Sequence, residues 1–392
     1  MNTPGIKSGF TLSRNPVILQ NGTHESSNNS NGDGTLEIIY AGTNVYEAKF
    51  SLPLEMDIAD ILDSYIEFFK EVPVDNNLPI CQIEEPNEFE DRKFTAILKL
   101  GDYVSELDRF VIPGGISHQN FRQLSILGKD IFQVRFFNHK SNFFLSTRTA
   151  SWLIVMKETE LYPLYFLPEN TGDLISIVER TGGNIYEDDS FDRGVAVLDV
   201  VALRRYFAHN HNVLPSVFDV YYNSCYSCRI VVERSDCTRQ RYRIKFRNSL
   251  GVFEIIELNG ELSVTPDYSG AEDAVFKRYD SITGSFHSDR ERVQRRQAVT
   301  VETGVKRPDE VRFLMDMIGS EEVYLLDLTP TPLKVIPSVE NFSYRPRPES
   351  PEKFSIKLEL SDSEINIMQD IIDGSDGMKP RIFSKQFSIQ FN

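Results

Sequence analysis

A chain of 392 residues, 40% of them apolar, is long enough to build two or three hydrophobic cores. Its formal net charge of −16 and isoelectric point near 4.9 argue against nucleic acid as the main partner, because an acidic surface repels phosphate. Four cysteines are too few for a secreted disulfide scaffold of this length, and no apolar run approaches the roughly 18–20 residues needed to span a bilayer. The opening Met1-Asn-Thr-Pro-Gly-Ile-Lys7 lacks the charged and apolar regions of a signal peptide, so synthesis and folding in the cytoplasm are expected. With 27 Phe and 16 Tyr but one Trp, Trp152, the composition favours sheets over helix bundles.

In chain order, the polar segment Asn21–Gly34 has nothing to bury and reads as a flexible loop. Leu36–Tyr40 and Val45–Phe50 form a strand pair. Asp57–Phe69 carries Ile58, Ile61, Leu62, Tyr65, Ile66 and Phe69 at helical spacing, with Asp57 as its cap. Strands are expected at Phe94–Leu100, Arg109–Ile112, Ile131–Phe137, Phe143–Ser146, Leu153–Met156 and Leu161–Leu167. Pro113-Gly114-Gly115 breaks the chain before a short helix around His118–Leu127. Short strands follow at Leu174–Val178, Val195–Val200, Phe218–Tyr222, Ser227–Val232, Tyr242–Phe246 and Val252–Leu258, at the spacing of a sandwich. Beyond Leu262, strands are expected at Val293–Val301, Val323–Leu328, Leu333–Ile336 and Phe354–Leu360. Between them Pro308–Ile318 reads as a helix, with Pro308 in its first turn and Gly319 at its end. Arg345–Pro351 is an extended Pro-rich connection.

The most telling stretch is Arg239–Leu258. Every second residue of its first strand is basic: Arg239, Arg241, Arg243, Lys245 and Arg247, with Tyr242, Ile244 and Phe246 between them. Side chains alternate across a strand, so one face is cationic and the other apolar, and a tight Asn-Ser-Leu-Gly turn leads into the next strand. Two readings are open. Glu254, Glu257 and Glu261 on the following strand can neutralise the stripe within the sheet. Alternatively the stripe, with the second cluster Arg290, Arg292, Arg295 and Arg296, contacts an acidic face of a neighbouring subunit or an anionic glycan.

Other candidate chemistry is sparse. Cys225-x-x-Cys228 with Cys237 offers three soft ligands where structural zinc needs four, and the cluster falls on strands, so no metal is expected. His209 and His211 sit in a polar stretch expected to be a loop. The acidic clusters Glu84/Glu85, Glu88/Glu90/Asp91 and Glu187/Asp188/Asp189 read as solvated loops rather than as the paired carboxylates of a glycosidase. A Gly-rich phosphate loop, a G-x-S-x-G elbow and an H-E-x-x-H helix are all missing. No cofactor and no enzymatic activity are expected.

Several phrases stand in order along the chain: Phe10-Thr-Leu-Ser-Arg-Asn-Pro-Val-Ile-Leu19, Ile58-Ala-Asp-Ile-Leu-Asp63, Val111-Ile-Pro-Gly-Gly115 and Asn142-Phe-Phe-Leu-Ser-Thr-Arg-Thr149. Glu160-Leu-Tyr-Pro-Leu-Tyr-Phe166, Phe246-Arg-Asn-Ser-Leu-Gly-Val-Phe253 and Gly319-Ser-Glu-Glu-Val-Tyr-Leu325 follow. Together they resemble β-rich virion-associated proteins of tailed phages and prophages of Bacteroidetes, the turn at 246–253 most of all. The short length and the clustered cysteines depart from that pattern. The resemblance implies a structural component of a phage tail, baseplate or tail-like particle, located in the virion, and it carries over no catalytic residue.

The expected class is therefore mainly β with minor α. A mixed α+β domain (1–169, with loop 21–34) precedes β-sandwich-like domains at 170–261 and 262–360 and a C-terminal tail at 361–392. The expected role is a subunit that assembles with itself and with other particle proteins, through the two arginine clusters, the 21–34 loop and the tail. The competing role is a carbohydrate-binding or adhesion module for a bacterial surface glycan, with Tyr162, Tyr165, Tyr221, Tyr222 and Tyr226 as stacking candidates.

Overall fold

The computed structural model describes residues 9–21, 33–51, 54–73, 77–148, 152–235, 241–264, 275–290, 298–339 and 353–361. The first elements are β1 (Phe10–Leu12), β2 (Ile18–Asn21), β3 (Asp33–Tyr40), β4 (Thr43–Ser51), β5 (Leu54–Asp57), α1 (Ala59–Tyr65), β6 (Ile80–Glu84), α2 (Pro86–Glu90), β7 (Lys93–Leu100) and β8 (Tyr103–Ile112). Then come α3 (His118–Ile126), a π-helical turn (Phe132–Phe136), β9 (Leu153–Lys157), β10 (Leu164–Phe166), β11 (Ile175–Glu179), β12 (Ile185–Asp188), β13 (Val195–Leu198), α4 (Val200–His211), β14 (Val217–Tyr222) and β15 (Cys225–Glu233). The last portion holds β16 (Tyr242–Arg247), β17 (Phe253–Leu258), β18 (Leu262–Val264), β19 (Val275–Asp280), β20 (Ser285–Arg290), β21 (Ala298–Glu302), α5 (Pro308–Ile318), β22 (Val323–Leu325), β23 (Leu333–Ser338) and β24 (Ser355–Leu360). The chain is mainly β, as its composition and strand patterns require.

A five-stranded sheet, ordered β1-β8-β7-β3-β4, folds its apolar face over α1 and the β2–β5 pair, burying Leu36, Ile38, Phe94, Ala96 and Leu98 against Ile58 and Leu62. The three-stranded sheet β10-β13-β6 is the central layer, and all four residues of β13 are buried. Its Ala196 and Leu198 face one core and Val195 and Val197 another, which is why Val-Ala-Val-Leu is an unbroken apolar run rather than an alternating one. A second five-stranded sheet, β12-β11-β14-β15-β9, packs its inner face on this layer and on α4 through Ile154, Ile177, Phe207, Phe218 and Ile230. The seven-stranded sheet β17-β16-β22-β23-β24-β21-β18 is covered by α5 through Phe313, Leu314 and Met317.

The sheets do not divide where the sequence places domain boundaries. Across 169/170, β9 pairs in parallel with β15, Leu153 opposite Arg229, while β10 and β6 both pair with β13. Across 261/262, β16 pairs with β22, Ile244 opposite Leu325. Alternation identifies which face of a strand is buried but not which distant strand lies beside it.

Local departures have local causes. Ile131–Phe137, expected as a strand, is a π-helical turn that buries Phe132 and Phe136 on one side. Phe143–Ser146 is buried but joins no ladder, and three of its carbonyls go to the side chains of Arg135 and Asn248. The Arg135 guanidinium donates to Asn142 O (3.0 Å), Phe144 O (3.1 Å) and Ser146 O (2.6 Å), satisfying buried acceptors that a neighbouring strand would otherwise take. The expected 57–69 helix stops at Tyr65, and Asp57 Oδ1 accepts from Ala59 N (3.0 Å) and Val17 N (2.9 Å). His209 and His211 lie in the last turn of α4 rather than in a loop. The 22–32 part of the polar loop, residues 340–352 and the tail beyond 361 lie outside the described residues.

Candidate functional site

The segments picked out from the sequence meet in space around the β16–β17 turn. Arg14 N donates to Gly114 O (2.9 Å), and Gly115 N donates to Ser249 O (2.7 Å). Ser13 Oγ donates to Asp63 (2.6 Å), and Arg14 pairs with Asp63 and with Glu321. Ser320 Oγ donates to Arg247 O (2.7 Å), while Glu160 Oε1 accepts from Glu257 N (2.7 Å). Of these contacts the Gly115 N–Ser249 O bond reaches the four-residue turn itself, and Asn248 Nδ2 adds a bond from the turn to Leu145 O (3.0 Å). The approach at Gly114, with φ +102°, leaves no room for a side chain, since a Cβ there would sit 2.2 Å from Ser249 O.

Below the turn lies a buried polar network. Glu254, 3% exposed, accepts from Ser146 Oγ (2.6 Å), Thr147 N (3.1 Å), Thr147 Oγ1 (3.2 Å) and Asn248 Nδ2 (2.7 Å). Arg148 spans it, with Nη1 on Glu160 (2.9 Å), Nη2 on Ile255 O and its guanidinium 4.4 Å from the Phe313 ring centroid. Glu257 takes Lys157 (3.4 Å) and Thr159 Oγ1. Burial alone would push the Glu160 carboxyl up. Arg148 and the Glu257 and Lys157 amides more than offset it, leaving the group below the ordinary glutamate range. Burial likewise pulls Arg135 down to about 10.

Asp316, on α5, titrates the other way. Burial pushes its carboxyl up, although Thr147 Oγ1 and Ser249 N donate to it. A carboxyl with a raised folded pKa contributes stability that is present below its unfolded value and is lost as pH rises through the folded value. Asp316→Asn is therefore expected to gain stability relative to the natural chain as pH is raised from 4 to 7. Urea unfolding of both proteins at the two pH values checks the sign, and a constant difference contradicts it. Two clefts flank the turn: one of about 290 Å³ touching Arg247, Asp316 and Lys334, and one of about 420 Å³ touching Asn120, Arg135 and Thr147. Arg14 and Ser249 line both.

Three members of the basic stripe are neutralised inside the chain, but not by the carboxylates expected. Arg243 pairs with Asp327 (2.6 Å), Lys245 with Glu71 (2.7 Å) and Arg247 with Glu322 (2.7 Å). Lys245 Nζ also lies 4.1 Å from the Phe253 centroid, and Arg247 stacks 4.0 Å from Phe68. Glu254 and Glu257 are buried because β17 packs against the 146–160 segment, whose Arg148 and Lys157 take them; Glu261 is exposed. Arg241 is exposed, and Arg239 lies outside the described residues. In the second cluster Arg290 ends β20, and Arg292, Arg295 and Arg296 lie outside the described residues.

Cys228 is fully buried in the core, and burial pushes its thiol well up. Cys225 is half-buried and Cys237 lies outside the described residues. Among the described residues no group of three His, Cys, Asp or Glu side chains is placed to hold a metal ion. No helix among them is long and apolar enough to cross a membrane. Of the tyrosines, Tyr165 and Tyr222 are core residues, Tyr162 is half-buried, and Tyr221 and Tyr226 share an outer sheet face.

One feature went unforeseen. Between β18 and β21, which pair with each other, the chain leaves the seven-stranded sheet and forms the two-stranded arm β19–β20. Tyr279 is 56% exposed, Phe286 68% and Ile282, at the tip, 93%. Tyr279 and Phe286 stand opposite each other with ring centroids 5.2 Å apart. The tip is built by Asp280, whose carboxylate accepts from Ile282 N (2.9 Å) and Thr283 Oγ1 (2.9 Å). The turn residues of Asp280-Ser-Ile-Thr-Gly284, between two short runs that each carry an aromatic residue, were available in the sequence as a hairpin signal. No protein-family model matches the chain, and no curated protein matches it.

Proposed function

We propose that the protein is a structural subunit of a phage tail, baseplate or tail-like particle, made in the host cytoplasm and resident in the virion. It assembles through contacts with copies of itself and with other particle proteins, and no residue has a catalytic role. The observation that carries this reading is the arm. Every residue from Lys277 to Ser288 except Asp280 is exposed, so both faces of the ribbon meet solvent. An isolated two-stranded hairpin is marginally stable in water, and one that presents Tyr279, Ile282 and Phe286 gains its apolar burial when it docks on a partner.

Charge supports the same reading. Residues 275–297 carry six cations (Lys277, Arg278, Arg290, Arg292, Arg295, Arg296) against three carboxylates (Asp280, Asp289, Glu291) on a chain of net charge −16. A cationic sequence stretch on an acidic chain suits contact between copies of one chain. The double substitution Tyr279→Ser with Phe286→Ser removes two exposed rings and leaves the cores intact. Sedimentation velocity is expected to show the oligomer lost at unchanged thermal stability. If the variant sediments like the natural chain, the arm is not the assembly contact.

A further inference from the structure

The outer face of the β12-β11-β14-β15-β9 sheet carries a row of aromatic and cationic side chains away from the arm. Trp152, the one tryptophan of the chain, is 53% exposed beside β9, and the Arg229 guanidinium lies 5.8 Å from its ring. Arg229 donates to Asp219 Oδ1 (2.6 Å) and Oδ2 (3.3 Å), and Arg180 donates to the same carboxylate (2.9 Å). Tyr221 and Tyr226, opposite each other on β14 and β15, continue the row, with ring centroids 5.6 Å apart in an edge-to-face arrangement.

A β-bulge makes this row. Strict alternation would place Tyr226 and Arg229 on opposite faces of β15. The register shifts between Val220 and Tyr221, and Ser227 and Cys228 both turn inward, 1% and 0% exposed, so Tyr226 and Arg229 both face out. Bulges of this kind re-aim side chains where a surface is put to use.

We propose that this face binds an acidic glycan, its sugar rings stacked on Trp152 and Tyr226 and a sugar carboxylate held by Arg180 and Arg229. Aromatic rings at the sheet surface offer flat apolar faces to pyranose rings. By register Trp152 stands beside Cys228, so Tyr226 lies one strand over and two residues along and Tyr221 two strands over, about 8–12 Å away, the span of two such rings. The charge selects the acidic class: two guanidinium groups share one buried carboxylate, and Asp219 takes one N–H of the five on Arg180 and two of those on Arg229. Arg180 remains 55% exposed, so its fork is open to a second carboxylate.

The single tryptophan makes the test direct. The full chain is titrated with a hexameric uronic-acid oligosaccharide from alginate and, in parallel, with neutral cellohexaose, reading Trp152 emission. A saturable change with the acidic sugar is expected, with about tenfold weaker binding for Tyr226→Ala and loss of the acidic preference for Arg180→Gln. Thermal unfolding confirms that both variants fold. Calorimetric titration of Trp152→Ala is expected to show binding at least tenfold weaker. No saturable change with either sugar overturns the proposal, as does equal binding of the two. Quenching of Trp152 by acrylamide that falls as protein concentration rises, with no sugar present, would assign the face to a second copy and overturn it too.

Discussion

Glu254→Ala is expected to destabilise the protein by about 2–5 kcal/mol, at about 1–3 kcal/mol for each buried donor it leaves unpaired. Glu254 accepts from Ser146, Thr147 and Asn248 and lies 3.7 Å from Arg148 Nε, with every one of these side chains buried or half-buried. Alanine leaves Ser146 Oγ and Thr147 N without their acceptor and removes the carboxylate beside Arg148 Nε, while Thr147 Oγ1 keeps Asp316, Asn248 Nδ2 keeps Leu145 O and Arg148 keeps Glu160; a buried donor left unpaired costs its full desolvation. Glu254→Gln keeps one acceptor oxygen, so its loss is smaller. Urea midpoints for the two variants check the order. A change below about 1 kcal/mol for the alanine variant would show that water enters and replaces the carboxylate.

Gly114→Ala is expected to cost on the order of 3 kcal/mol, combining backbone strain at φ +102° with overpacking of the turn. The methyl group would meet Ser249 O at 2.2 Å and Leu250 Cα at 2.8 Å, both backbone atoms of the turn that gathers the junction. Gly101→Ala is the control. Its φ is also positive, at +56°, but nothing lies within 4 Å of the added carbon. A loss of about 1 kcal/mol is expected there from conformation alone. Equal losses at the two positions would mean that the 113–115 and 249–251 backbones move apart without resistance.

What could be read in advance was local. β16 follows the alternation of Tyr242, Ile244 and Phe246, and α5 spans Pro308–Ile318 as its Pro start and Gly319 end require. α4 was missed although Asp199 caps it, accepting from Val201 N (2.8 Å) and Ala202 N (3.1 Å). Its Arg204-Arg205 and its polar His-Asn-His end mask the buried Leu203 and Phe207. Phe143–Ser146 looks like a strand to any reading of periodicity, and only the positions of Arg135 and Asn248 show where its carbonyls go. The stripe shows the same limit at the site. Alternation puts Arg243, Lys245 and Arg247 on one face, but their partners Asp327, Glu71 and Glu322 come from other parts of the chain. The buried Glu254 and Glu257 were visible as charges inside the apolar run Phe253–Leu258, and a glutamate buried in such a run needs a partner.

Assembly is the central claim, and the mass of the free chain tests it. Size-exclusion chromatography with light scattering, at low salt and at 1 M salt, is expected to show a discrete multiple of 45.0 kDa at low salt. That species should weaken at high salt, where the screening length falls to about 3 Å. A mass of 45.0 kDa at every protein and salt concentration would contradict assembly of the chain with itself.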